Sequence, residues 1–105
     1  MKASEKTIER KLRVGIEKLG GLCLKMPATF FIGIPDRLVI LPGALVFFVE
    51  TKSQGLKLRP RQLFVAKKLE ALGVKVYKID SEESLKLLLT TAEAVYLKTK
   101  EPLDK

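Results

Sequence analysis

Hydrophobic positions recur along this chain with two different periods. From Ser4 onward they fall at Ile8, Leu12, Ile16 and Leu19, the three- and four-residue spacing of one helix face, and Gly20-Gly21 ends the pattern. Ser4 suits the N-cap, with Glu5 in the first turn near the positive end of the helix dipole. Short apolar runs follow at residues 22–26, 38–41 and 44–49, the last two flanking Pro42-Gly43. Brief, β-branched and separated by a turn signal, they predict strands, with a hairpin or sheet corner at Pro42. Helical spacing returns after Pro60, where Leu63, Ala66, Leu69 and Leu72 set the expected apolar side and Gly73 the stop. Residues 74–79 predict a further strand. Asp80-Ser81-Glu82-Glu83 reads as a capping box opening a short helix through Leu89. Beyond it, Ala94-Val95-Tyr96-Leu97 fits a last strand, a helix or an arm exchanged with a partner chain, and residues 101–105 are expected to fray. The order α-β-β-β-α-β-α predicts an α/β fold, a mixed sheet flanked by helices.

Charge enters the central strands at few points. Side chains on a strand alternate, so Leu45, Phe47, Val49 and Thr51 face one way and Val46, Phe48, Glu50 and Lys52 the other. Glu50 and Lys52 are therefore neighbours at the end of an apolar strand, and Asp36 stands at the entrance to the strand before it. Charges in such a setting are costly unless something pairs with them. A metal ion with a phosphate would do so. A plain ion pair between Glu50 and Lys52, with Asp36 capping a turn, is the simpler alternative.

Composition narrows the chemistry. The 105 residues fit one domain over 1–105, with a core about 4–89 and an uncertain segment 90–105. A 47% hydrophobic content supplies one core, and no apolar run approaches the ~20 residues that cross a bilayer, so a cytoplasmic protein is expected. The single cysteine, Cys23, excludes an internal disulfide and is expected to pack as a small apolar residue. The chain has no histidine, which excludes serine–histidine and cysteine–histidine catalysis and imidazole-bound zinc. Any metal must use oxygen ligands, which suits Mg2+ or Mn2+. With 20 basic and 12 acidic residues the net charge is +8, a balance that favours nucleic acid over a merely solubilising role. Lys57, Arg59, Arg61, Lys67 and Lys68 cluster around the start and exposed side of the second helix, where they would meet phosphates or simply form a solvated face. Phe30 and Phe31, on the loop over residues 27–33, could stack on bases or pack beneath the loop or against a second copy.

Three segments together resemble a known family: Gly33-Ile34-Pro35-Asp36-Arg37-Leu38-Val39, Phe48-Val49-Glu50-Thr51-Lys52 and Leu58-Arg59-Pro60-Arg61-Gln62. They are similar to the PD-(D/E)xK nuclease superfamily, and within it to the VRR-NUC (virus-type replication-repair nuclease) family, over roughly residues 5–84. The resemblance implies a restriction-endonuclease-like core and metal-dependent hydrolysis of DNA phosphodiesters, leaving a 5′-phosphate. Asp36 and Glu50 are then expected to hold Mg2+ or Mn2+, with the Thr51 carbonyl as a further ligand. Lys52 would orient the attacking water, accept its proton or stabilise the phosphorane charge. Family members carry a first-helix glutamate facing the metal, a position that Glu9 matches best with Glu5 in reserve, and a glutamine at the site edge, matched by Gln62. Arg37 joins Lys57, Arg59, Arg61 and Lys67 as an expected nucleic-acid contact. The resemblance further implies a homodimeric, structure-selective endonuclease of phage or bacterial DNA repair, acting on Holliday junctions or flaps. The alternatives are a nucleic-acid-binding domain of the same fold, or a helicase-associated subunit without independent cleavage.

Overall fold

The computed structural model describes residues 4–27 and 29–100, with the backbone alone at 96 and 98–100. Seven elements follow one another: α1 (Glu5–Lys18), β1 (Leu22–Lys25), β2 (Arg37–Leu41), β3 (Leu45–Thr51), α2 (Pro60–Ala71), β4 (Lys75–Ile79) and α3 (Glu82–Lys100). This is the expected order. The four strands form one sheet in sequence order, with β1/β2 and β2/β3 antiparallel and β3/β4 parallel, so α2 is the crossover that a parallel pair requires. The turn after β2 holds Gly43 and Ala44 at positive φ, which tightens the hairpin around Pro42.

The core lies on one face of the sheet. Ile8, Leu12 and Ile16 of α1 and Leu85, Leu88 and Ala92 of α3 close over Cys23, Val39, Leu41, Phe47, Val49 and Ile79. The Ser4 hydroxyl accepts a hydrogen bond from the Thr7 amide, as an N-cap should. Gly15 lets α3 approach closely, since a Cβ there would lie 2.7 Å from a Leu89 methyl.

Two expectations about the helices need correction. The buried side of α2 is Val65 and Ala66, whereas Leu63 and Leu72 are exposed. The helix packs against β4 on the face opposite the core, and the wall it meets there is the Gly33 backbone and the Glu50 side chain, which call for Val65 and Gln62. The last helix does not end at Leu89 but continues to Lys100, so residues 94–97 are helical. Its start is closed by a reciprocal pair, the Ser84 amide donating to the Ser81 hydroxyl and the Ser81 amide to the Ser84 hydroxyl. Ser84, rather than an acidic residue, completes that box. Residues 101–105 lie outside the described residues. Among those described, no helix is long and apolar enough to cross a membrane.

Candidate active site

Asp36 and Glu50 meet where β2 begins and β3 ends. In the antiparallel register Arg37 lies opposite Val49, which brings the residue before β2 beside the last positions of β3. The Asp36 amide donates to Glu50 Oε1 at 3.1 Å, so the backbone of one acid holds the carboxylate of the other. Thr51 returns the favour to Asp36, its hydroxyl donating to Oδ2 at 2.6 Å and its amide to Oδ1 at 3.3 Å. Glu50 and Thr51 are the buried polar residues at the end of this strand, 7% and 1% exposed.

Gln62 comes from the first turn of α2 with both ends of its amide committed. Its Oε1 accepts from the Arg59 amide at 2.8 Å and its Nε2 donates to Glu50 Oε2 at 3.1 Å. Pro60 opens the helix at a position that needs no N–H, leaving Gln62 at N3 to reach back in this way. The Lys52 ammonium stands 3.6 Å from the same Glu50 Oε2. Asp36, Glu50 and Gln62 open onto a cleft of about 670 Å³ that Lys25, Arg59 and Arg61 also line. Lys52 reaches the site through Glu50 rather than as part of that lining.

Burial sets the electrostatics. It raises the Asp36 carboxyl above the ordinary carboxylate range against the pull of the two Thr51 hydrogen bonds, with the Glu9 charge pushing the same way. Glu50 is raised by burial first and by the Asp36 charge second, opposed by Lys52. Two adjacent carboxylates, Glu50 buried and Asp36 half-buried, therefore each resist ionisation, which is the setting that a divalent cation relieves. Among the described residues no three acidic or cysteine side chains gather as a closed metal cage. A hard cation held by two carboxylates, with water and substrate oxygens completing its shell, is the manner in which Mg2+ is usually bound, so the donor set fits it.

Known proteins bear on this arrangement. The chain is 39% identical over 84 residues to the "Putative nuclease p44" of Acyrthosiphon pisum secondary endosymbiont phage 1, an alignment spanning 80% of this chain and 90% of that one. It also superposes on a solved structure described as a "VRR_NUC domain" with a TM-score of 0.77 and 30% identity, covering 84% of this chain and 97% of that chain. The chain belongs to the VRR-NUC family. No family model matches the sequence. This VRR-NUC domain has the mixed α/β architecture that the resemblance implied.

The remaining expected residues fall in different places. Glu9 projects from α1 on the core face of the sheet, where its carboxylate takes Arg37 Nε at 3.2 Å and Lys25 Nζ at 3.6 Å. Glu50 belongs to the opposite face, so Glu9 influences Asp36 through its charge and approaches from across the sheet. Glu5 is exposed. Arg37 is 12% exposed and also donates to the Cys23 carbonyl, leaving it turned inward rather than toward a phosphate. Arg59 and Arg61 line the cleft, while Lys57 and Lys67 are exposed outside it. Three participants escape sequence reasoning: the Thr51 side chain, Lys25 in the cleft wall, and Arg37 as the partner of Glu9. A hydroxyl between Glu50 and Lys52 was a usable signal for the first. Nothing local marks the other two, which depend on how α1 crosses β1 and β2.

Proposed function

We propose that this VRR-NUC domain is a Mg2+- or Mn2+-dependent, structure-selective DNA endonuclease, Holliday-junction-resolvase-like, acting as a homodimer in the cytoplasm of a bacterial or phage-infected cell. One observation carries the reading: half-buried Asp36 and buried Glu50 are tied to each other through the Asp36 amide and open onto a cleft that Lys25, Arg59 and Arg61 help to line.

Asp36 and Glu50 would hold the cation, with the Thr51 carbonyl as a further oxygen. Bound there, the cation would neutralise a phosphate oxygen and make water a better nucleophile. The chain's own groups supply the rest. Gln62, held at both ends of its amide, fixes the Glu50 carboxylate and stands at the cleft edge to orient water or phosphate. Lys52, 3.6 Å from Glu50, would bring positive charge toward the phosphorane as it gains negative charge. Lys25, Arg59 and Arg61 attract the DNA backbone. Glu9 holds Arg37 and Lys25 and contributes to the site through its field or through a second cation.

A second copy fits the uncovered part of the sheet. Opposite the core, α2 packs on β4 and leaves Leu22, Leu24 and Val46 exposed beside half-buried Leu38, Ile40 and Phe48. These six positions carry no charge, which suits an apolar self-contact and not a polyanion.

The test is a cleavage panel of four-way junctions, flaps and linear duplexes with Mg2+, Mn2+ or EDTA. Branched DNA is expected to be cut with either metal and left whole in EDTA. Asp36→Ala and Lys52→Ala should each reduce cutting by about 10²-fold or more while junction binding persists. Loss of binding in step with cutting, or metal-independent binding with no cutting, overturns the reading.

A further inference from the structure

Beside the cleft lies an apolar hollow of about 380 Å³ whose walls include Phe31, Phe64, Leu69 and Leu72, together with Arg61 and Lys68. Arg61 and Ile34 line both spaces, so the hollow adjoins the cleft. Phe31 and Phe64 leave half their surface in water, at 50% and 54% exposure, which is unusual for rings this size without a partner. The Arg61 guanidinium stands 5.2 Å from the Phe64 ring centre and 6.0 Å from that of Phe31, and the Lys68 ammonium is 6.0 Å from the Phe64 ring. No carboxylate is among the described residues that line the hollow.

The two rings are held in fixed relation although they come from different segments. Arg61 Nε donates to the Ile32 carbonyl at 3.2 Å, and Gly33 lies so close to α2 that a Cβ there would be 2.8 Å from Val65 and Arg61 side-chain atoms. The loop carrying Phe31 is thereby fastened to the helix carrying Phe64.

Open aromatic faces with cations beside them and no counter-charge match the chemistry of an unpaired nucleic-acid strand. Bases stack on the rings without regard to sequence, and phosphates meet the cations. A duplex presents only base edges, so it gains little from such faces. A second copy of this chain fits less well, because a two-fold axis here would set Arg61 and Lys68 against their own kind.

We propose that Phe31 and Phe64 form a stacking ledge for the unpaired bases of a single-stranded segment, delivering that strand to the cleft of Asp36 and Glu50. Delivery for cutting rests on the nuclease reading; binding to the ledge does not. It gives selectivity for flaps over blunt duplex a physical source, since a flap exposes unpaired bases that a blunt duplex does not.

The experiment uses the full chain in EDTA at one salt concentration, because phosphate contacts are strongly salt-dependent. Affinity is measured for an oligothymidylate carrying a fluorescent aminopurine and for a blunt duplex. Phe31→Ala and Phe64→Leu are each expected to weaken the single strand about tenfold and relieve aminopurine quenching, with duplex affinity unchanged. Phe64→Leu keeps the apolar bulk and removes the ring face, while Phe64→Trp should retain binding. Unaltered single-strand affinity in Phe64→Leu overturns the ledge, as does equal loss on both DNAs. A fall in oligomeric mass in Phe31→Ala assigns the surface to a second copy and overturns it too. Cleavage separates the two claims. A chain that quenches aminopurine but cuts nothing in Mg2+ sinks the nuclease reading alone, and one that cuts flaps equally well as Phe64→Leu sinks the ledge alone.

Discussion

Asp36 and Thr51 are joined by the shortest hydrogen bond of the site, 2.6 Å from hydroxyl to carboxylate, at a position 1% exposed. Thr51→Val would keep the shape and strip the hydroxyl, leaving the half-buried Asp36 carboxylate short of a donor at a cost of about 1.5–3 kcal/mol. Chemical denaturation should show that loss, and an unchanged midpoint would mean that the bond contributes nothing. The same burial makes stability depend on pH in an unusual sense. Folding raises both Asp36 and Glu50 above their ordinary values of 3.8 and 4.5. Across the window opening upward from those values, the native state binds more protons than the unfolded chain, so stability falls as pH rises. The metal-free protein should therefore show a Tm that declines from mildly acid pH toward neutrality, with a shallower decline in Asp36→Asn. At neutral pH, added Mg2+ should restore the loss, by about 2.7 kcal/mol when present at a hundredfold excess over its Kd. Identical pH profiles for wild type and Asp36→Asn would show that this carboxyl is not strained by burial.

At the level of elements, the loop between β1 and β2 depends on Gly33. Its φ of +90° disfavours any side chain, and α2 leaves no space for one. Gly73, at φ +95°, has nothing within 4 Å of an added Cβ. Gly73→Ala should thus cost only the backbone term of about 1–2 kcal/mol. Gly33→Ala should cost roughly 1–3 kcal/mol more from overpacking, and lose activity as the loop lifts from the cleft. Equal melting temperatures for the two variants would dismiss the packing contribution. The contrast also explains what the sequence reveals. Ile8, Leu12 and Ile16 announce α1 because a single face meets a single core. The runs around Pro42-Gly43 announce β2 and β3 because a tight turn leaves them one register, which carries Asp36 to Glu50 and Thr51. The face of α2 was not legible, since Leu63 and Leu72 fit a helical period as well as Val65, Ala66 and Leu69 do. What selects between them is the approach of Gly33 and Glu50, two contacts distant in sequence. The length of α3 was hidden by Thr90-Thr91, whose branched side chains disfavour a helix locally, although Ala92 beyond them is buried in the core. Glu9 was legible as a residue of interest but not its partners, because Arg37 and Lys25 reach it only once α1 lies across the first two strands.

The whole molecule is thin, 49 × 36 × 19 Å, and its sheet is covered by helices on one face and only partly on the other. On the open part, two rows of three apolar residues run across the strands, Leu22–Ile40–Val46 and Leu24–Leu38–Phe48 in register. In the proposed dimer a two-fold axis through this surface would set one row against its copy, and Glu50 lies on the same face of β3, further along the strand. Two sites held on opposite sides of that axis would reach the two strands of a symmetric junction. Val46 is the best position to test this, since at 41% exposure it is not needed by the core of its own chain. Val46→Glu should fold normally but force a desolvated charge into the contact, converting dimer to monomer by light scattering. If the proposed dimer makes paired cuts on a four-way junction, they should become single, uncoordinated nicks in this variant, while cutting per site on a simple flap survives. A wild-type monomer in solution, or a Val46→Glu protein that stays dimeric, would remove this face from the assembly and with it the proposed geometry of paired cleavage.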